Sequence, residues 1–247
     1  MNIPIIMLHH INNLPGPGLE NWSISEEKFI LLLDTIEKHG FTTTTFELLK
    51  DHNHQRRQKE VILSFDDCPA ALFEFAIPEL LKRNMKAVFF IPTGEIAGFN
   101  RWDVSEQGFS RFSLMNAEQL IYLSNLGMEI ASHGKHHLRA NKISEEVFYQ
   151  EILAAKNELE ALLQKDIVAL AYPYGEVPKN YKTLVSQAGY TFGLSIYQRR
   201  SNQFALRRIG IHTRDTESSI SFKLSKSYQF MRTFFDPILW IKKATRV

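Results

Sequence analysis

Adjacent carboxylates, Asp66 and Asp67, end the apolar run Val61-Ile62-Leu63-Ser64-Phe65. Further along, His133 and His137 stand four apart in Ser132-His133-Gly134-Lys135-His136-His137. One carboxylate and two imidazoles can hold a divalent metal while leaving a coordination position open for water. The other carboxylate is then free to take that water's proton. These are the parts of a mononuclear metal hydrolase. Each part alone has a plainer reading: the aspartates as a helix N-cap pair, the histidines as a solvated turn, Pro173-Tyr174-Gly175 as an ordinary turn. It is their recurrence at successive strand ends that points to one site.

The elements that must position them alternate along the chain. Ile3–Leu8, Val61–Leu63, Ala87–Ile91, Met128–Ala131, Ile167–Tyr172, Thr191–Ser195 and Phe204–Ile211 read as strands. Between them, helical patterns run from Ser25 to about Gly40, Ala71 to Arg83 despite Pro78, Asn116 to Asn125, Ser144 to Gln164 and Pro178 to Ala188. The stretch holding Gly94, Gly98, Asn100, Arg101, Trp102 and Asp103 reads as a polar loop. Alternation of this kind argues for parallel βαβ units. A barrel built from them gathers active residues at the C-terminal ends of its strands, where Asp66, Asp67, His133 and Pro173-Tyr174-Gly175 all fall.

From Met7-Leu8-His9-His10 to about His212, these motifs resemble the polysaccharide deacetylase, or NodB-homology, family. Ser64-Phe65-Asp66-Asp67 matches its Thr-Phe-Asp-Asp motif, His133 and His137 its His-(Ser/Thr)-x-x-His motif, and Pro173-Tyr174-Gly175 its Arg-x-Pro-Tyr-Gly motif. The resemblance implies a distorted (β/α) barrel with fewer than eight regular strands. It also implies a divalent metal, zinc above others, held by Asp67, His133 and His137, with Asp66 as general base. The backbone N–H of Tyr174 would steady the oxyanion, and a late-chain histidine, here His212, would protonate the departing amine. Pro173 and Trp102 are the candidate substrate contacts, Trp102 as either a packing anchor or a sugar-stacking platform.

The chain departs from the pattern at four places. Gly134 stands where Ser or Thr is usual. His136 beside His137 offers a rival ligand, although the four-residue spacing favours His137. Cys68 replaces the usual Gly after the aspartates, and Ala171 replaces the Arg that orients the base. Arg207 or Arg208 is the candidate to reach in instead. His9 and His10 read as structural or as the floor of the site.

The 247 residues are within the range of a one-domain α/β barrel, and 44% hydrophobic content supplies its core. With net charge +2 and no basic cluster beyond Gln55-Arg56-Arg57-Gln58-Lys59, no nucleic-acid partner is expected. The single cysteine excludes an internal disulfide. Met1–His10 lacks a basic n-region and a cleavage site, so it reads as a strand and a cytoplasmic location is expected. No stretch is apolar for long enough to span a membrane. Residues 1–215 are expected to form the catalytic domain and 216–247 a helical extension packed on the barrel or a partner. There Phe230, Phe234, Ile238 and Ile241 recur at helical spacing, near Trp240, Lys242, Lys243 and Arg246, so peripheral membrane contact is the rival role for the extension.

The activity expected is hydrolysis of an N-acetyl, or else O-acetyl, group on a carbohydrate or glycan precursor. Another C–N bond, such as a formyl or cyclic amide, has the same chemistry. The alternative from another class is a glycan-binding protein on a degenerate deacetylase scaffold, motivated by Ala171 and the loosely matched His212.

Overall fold

Alternating side chains on the strands sort into two sets, and that division builds the molecule. The computed structural model describes residues 3–197 and 201–244, with side chains of the final helix described through Asp236. The strands are β1 (Ile5–Leu8), β2 (His10–Ile11), β3 (Ser23–Ile24), β4 (Thr42–Thr43) and β5 (Glu60–Asp66). They continue with β6 (Val88–Ile91), β7 (Glu129–Ser132), β8 (Ala169–Ala171), β9 (Phe192–Leu194) and β10 (Ile209–Gly210). Seven of them form a parallel sheet in the order β10-β1-β5-β6-β7-β8-β9, with β4 paired beside β5. Leu194 and Leu206 form a further parallel bridge, so the segment leading into β10 bonds β9 before it pairs with β1. The sheet therefore curls back on itself, the distorted barrel that the sequence predicts.

Within the curl, Ile5, Ile62, Val88, Phe90, Ala131, Ala169, Ala171 and Leu194 pack together with Phe46 as a plug. Alanines at three of these positions suit a narrow interior. The opposite parity, including Ile6, Leu63, Phe65, Phe89, Ile130 and Leu170, joins a larger cluster with the helices. Those helices are α1 (Glu26–Lys38), α2 (Phe46–Lys50), α3 (Ala76–Lys82), α4 (Arg101–Gln107), α5 (Ala117–Asn125), α6 (Glu145–Leu163) and α7 (Tyr181–Gln187). Phe29, Leu32, Leu33 and Ile36 of α1 are fully buried, as their i, i+3, i+4, i+7 spacing requires.

Sequence and structure differ at three elements. The helix expected over 71–83 divides into a 3-10 turn, Ala70–Phe73, and α3. Pro78 falls in the first turn of α3, where a missing N–H costs no intrahelical bond. The polar loop contains α4, closed by a left-handed Gly108. The strand expected over 204–211 is regular only at Ile209–Gly210.

Beyond β10 lie α8 (Glu217–Leu224) and α9 (Lys226–Ala244). Ile220 and Leu224 enter the core, while Arg232 and Asp236 are buried at 5% and 2% exposure. Phe230, Met231, Phe234 and Phe235 are exposed. The side chains of Ile238, Trp240, Ile241, Lys242, Lys243 and Arg246 lie outside the described residues. No helix among the described residues is long and apolar enough to cross a membrane.

Candidate active site

Neighbouring residues on a strand point to opposite faces, so Asp66 and Asp67 could not share a cavity on regular backbone. Asp66 keeps the inward parity of Ile62 and Ser64. Asp67 then breaks the alternation with φ of 64°, and both carboxylates line one cavity. Cys68 follows at φ 57°, which accounts for the family's glycine there. His137 (φ 56°) and Tyr174 (φ 59°) also occupy the left-handed region. Four of the seven described non-glycine residues with positive φ thus surround this cavity or follow directly from its carboxylates. Strain gathered in this way is a mark of functional sites.

Asp67 Oδ1 lies 3.5 Å from His133 Nε2 and 3.4 Å from His137 Nε2. One ligand atom from each of the three residues falls within 4.8 Å of the others, and all three residues are buried. Asp67 Oδ1 has no hydrogen-bond partner despite its burial, a costly state unless a cation completes it. His133 Nδ1 donates to the Ala171 carbonyl at 2.8 Å, which leaves Nε2 as the lone-pair nitrogen facing Asp67. Burial lowers the pKa of both imidazoles, that of His137 to about 3, so they rest in the neutral form that binds metals. The donor set fits a divalent ion, and Asp67, His133 and His137 are the residues that would hold it.

The histidine turn is secured from two sides. Thr93 and Gly94 donate backbone bonds to the carbonyls of Gly134 and Lys135, at 3.1 and 2.8 Å. Lys135 pairs with Glu158 at 2.6 Å, and His136 turns outward to Glu151 at 2.7 Å. These ties hold the turn where Gly134 lacks a side-chain hydroxyl, and they remove His136 from the site.

Asp66 is held by Arg208 in a two-bond fork: Nη1 to Oδ1 at 2.5 Å and Nη2 to Oδ2 at 2.7 Å. Burial alone would raise the Asp66 pKa. The Arg208 guanidinium, backed by His133, overrides it and holds the carboxyl well below the ordinary range. Arg208, 1% exposed, therefore occupies the role left open by Ala171. Arg232 of α9 donates to the Arg208 carbonyl at 2.7 Å and to the Ile196 carbonyl at 3.0 Å, and it pairs with Asp236 at 2.9 Å. Asp236 also meets Arg207 at 3.1 Å.

His212 is not brought to the metal cluster. It sits exposed past β10, along a neighbouring cavity, with its backbone N–H bonded to Asp215. His9, in contrast, lines the cavity of the cluster, with Nε2 3.9 Å from Asp66 Oδ2. The physical reason is topological: β1 lies beside β5, so the residue following β1 emerges next to Asp66. The signal in the sequence is the His9-His10 pair directly after a strand.

Trp102 is 6% exposed and stacks on His137 with centroids 4.2 Å apart. The ring thus packs against His137, and its small exposed part borders the cavity that both residues line. Pro173 is buried opposite Gly134 and is absent from the cavity lining, which Tyr174 and Gly175 reach. Arg139 covers the Tyr174 ring at 3.4 Å. Asp103, missed in the polar loop, also borders the cavity, its pKa raised to about 6 by burial and by Asp67. Cys68 is a buried thiol whose pKa burial pushes well up, so it stays protonated and acts as core filler.

A family model described as polysaccharide deacetylase matches residues 53–193, more than half of the chain. The chain belongs to the polysaccharide deacetylase family. Over 209 residues this family member is 24% identical to the poly-β-1,6-N-acetyl-D-glucosamine N-deacetylase of Staphylococcus aureus (strain MRSA252), covering 77% of the chain and 68% of that relative. Among solved structures, Streptococcus pyogenes deacetylase PplD in complex with acetate superposes with a TM-score of 0.75 at 22% identity, covering 90% of this chain and 98% of that one. IcaB from Ammonifex degensii gives a TM-score of 0.70 at 20% identity, covering 90% and 97%. These structural likenesses establish the fold. Family membership places the polysaccharide deacetylase among the carbohydrate-deacetylating hydrolases.

Proposed function

We propose that this enzyme removes the N-acetyl group from N-acetylglucosamine units of a glycan, with one zinc ion held by Asp67, His133 and His137. The observation that carries the reading is the pairing of functions across one cavity. An ionised Asp66 faces the imidazoles of His133 and His9, each with Nε2 3.9 Å from Asp66 Oδ2, beside the buried unpaired oxygen of Asp67. The staphylococcal relative supports the choice of sugar. Two imidazoles and a carboxylate support the choice of metal. When bound, such an ion supplies a Lewis acid for the amide carbonyl and lowers the pKa of water.

The chain's own residues move the protons. Asp66, fixed in orientation by Arg208, receives the proton of the attacking water. His9 rests neutral, because burial lowers its pKa, so the proton it gives the departing nitrogen must arrive during the reaction. Asp66 is placed to pass it on. Tyr174 borders the same cavity, and its amide is the oxyanion donor in this proposal. The binding-protein alternative drew on Ala171 and His212; the contacts of Arg208 and His9 with Asp66 support the enzymatic reading over it.

Replacing His9 with Gln tests the assignment. Acetate release from an N-acetylglucosamine oligomer is expected to fall by roughly 10²- to 10⁴-fold, the usual contribution of a positioned acid–base group. A loss caused by His212→Gln and not by His9→Gln would overturn it.

A further inference from the structure

The cavity that holds the metal triad measures about 60 Å³. That is room for an acetyl group or a few waters, since one water fills about 10–15 Å³ on this measure. The cavity is open on one side, so the sugar that carries the amide continues beyond it.

Its direction follows from the chemistry. The sugar is attached to the nitrogen that leaves, and in the reading proposed above that nitrogen takes its proton from His9. The sugar therefore lies on the His9 side of the scissile bond. Directly there, a second cavity of about 400 Å³ shares His9, His10, Trp22 and Ile196 with the first. Its volume is within the range of ligand-binding sites.

Two aromatic side chains in its lining are exposed without a buried role, Trp22 at 41% and Tyr197 at 36%. Trp22 packs by one side against His9, with centroids 4.9 Å apart. Asn21 and His212, both exposed, add hydrogen-bonding groups to the same lining. Aromatic faces with a few polar groups form a surface suited to a pyranose, whose faces are apolar and whose edge carries hydroxyls.

We infer that this second cavity binds the glycan next to the reacting acetamide, with Trp22 and Tyr197 as its aromatic contacts and His212 as a polar one. The inference rests on the deacetylase reading and names the side chains that would meet the neighbouring sugar.

The test measures binding of the β-1,6-linked tetramer of N-acetylglucosamine, beside the monomer, to zinc-loaded Asp66→Asn protein by calorimetry. The tetramer is expected to bind about tenfold or more tighter than the monomer. Tyr197→Ala in the same background should abolish most of that difference, and Tyr197→Phe should keep it. Equal affinities for monomer and tetramer, or a Tyr197→Ala variant that binds like its parent, would overturn the inference. Acetate release by the wild-type enzyme separates the two readings. Release from the tetramer with no Tyr197 dependence of binding leaves the chemistry standing and removes the second site. Tyr197-dependent binding with no release leaves the sugar site standing and removes the chemistry.

Discussion

Asp66 and Arg208, 142 residues apart, form a buried two-bond ion pair at 2.5 and 2.7 Å. It replaces, from the far end of the chain, an arginine expected three positions before Tyr174. The fork leaves Asp66 ionised and fixed in orientation, as a base requires. Arg208→Lys keeps the charge and loses the fork. It is expected to fold and to lower kcat by roughly a hundredfold, with the loss traced to general-base positioning. Arg208→Ala strands a buried carboxylate and should destabilise by about 3–5 kcal/mol, measured by denaturant unfolding.

The pair is itself supported by α9. Arg232 bonds the Arg208 carbonyl and is paired with Asp236. Arg232→Leu should therefore cost about 1–3 kcal/mol of stability, by removing one of the two guanidinium partners of the buried Asp236 and leaving only Arg207. It should also lower kcat more than it changes KM, because Arg232 reaches the substrate only through Arg208 and Asp66. Steady-state kinetics beside thermal unfolding checks both.

Much of this site is legible in the sequence, and the reason is local. Asp66 ends a strand, and Asp67, His133, His137 and Tyr174 each follow one within a few residues, so motif and periodicity place them together. Arg208 and His9 are fixed by which strands pair: β1 lies between β10 and β5. No spacing along the chain encodes that neighbourhood. His212 sits at the end of a strand-like run, and sequence alone could not show that it faces the next cavity instead. Helix α4 was hidden because Trp102 is its one buried residue, too few for a helical stripe to register.

Trp102 is predicted to act through His137. Trp102→Ala removes the ring stacked on that imidazole at 4.2 Å. Loss of an outer support of this kind should weaken metal affinity by roughly 10- to 100-fold, measured by competition with a chromogenic chelator.

Glu129 sets a pH dependence far from the active site. Its carboxylate oxygen accepts bonds from the Phe46 and Glu47 amides at 2.6 and 3.1 Å, yet burial, then Glu47, raises its pKa from 4.5 to about 8. A carboxyl whose folded pKa is raised binds its proton more tightly when folded. Its contribution is complete below about 4.5 and is lost as pH rises through about 8. Glu129→Gln keeps an acceptor for both amides and removes the charge. It is expected to flatten this slope and to be the more stable protein at pH 9, by on the order of 2 kcal/mol. Urea unfolding at pH 6 and pH 9 measures it.

Metal content and turnover, determined on the same samples of wild type, Asp66→Asn and the His133→Ala/His137→Ala double variant, go most directly to the division of labour between the two adjacent aspartates. The expected result is about one zinc per chain in wild type and in Asp66→Asn, with acetate release only in wild type, and neither metal nor turnover in the double variant. Asp66→Asn protein that deacetylates at the wild-type rate, or wild-type protein that binds no divalent ion after incubation with zinc, would contradict it.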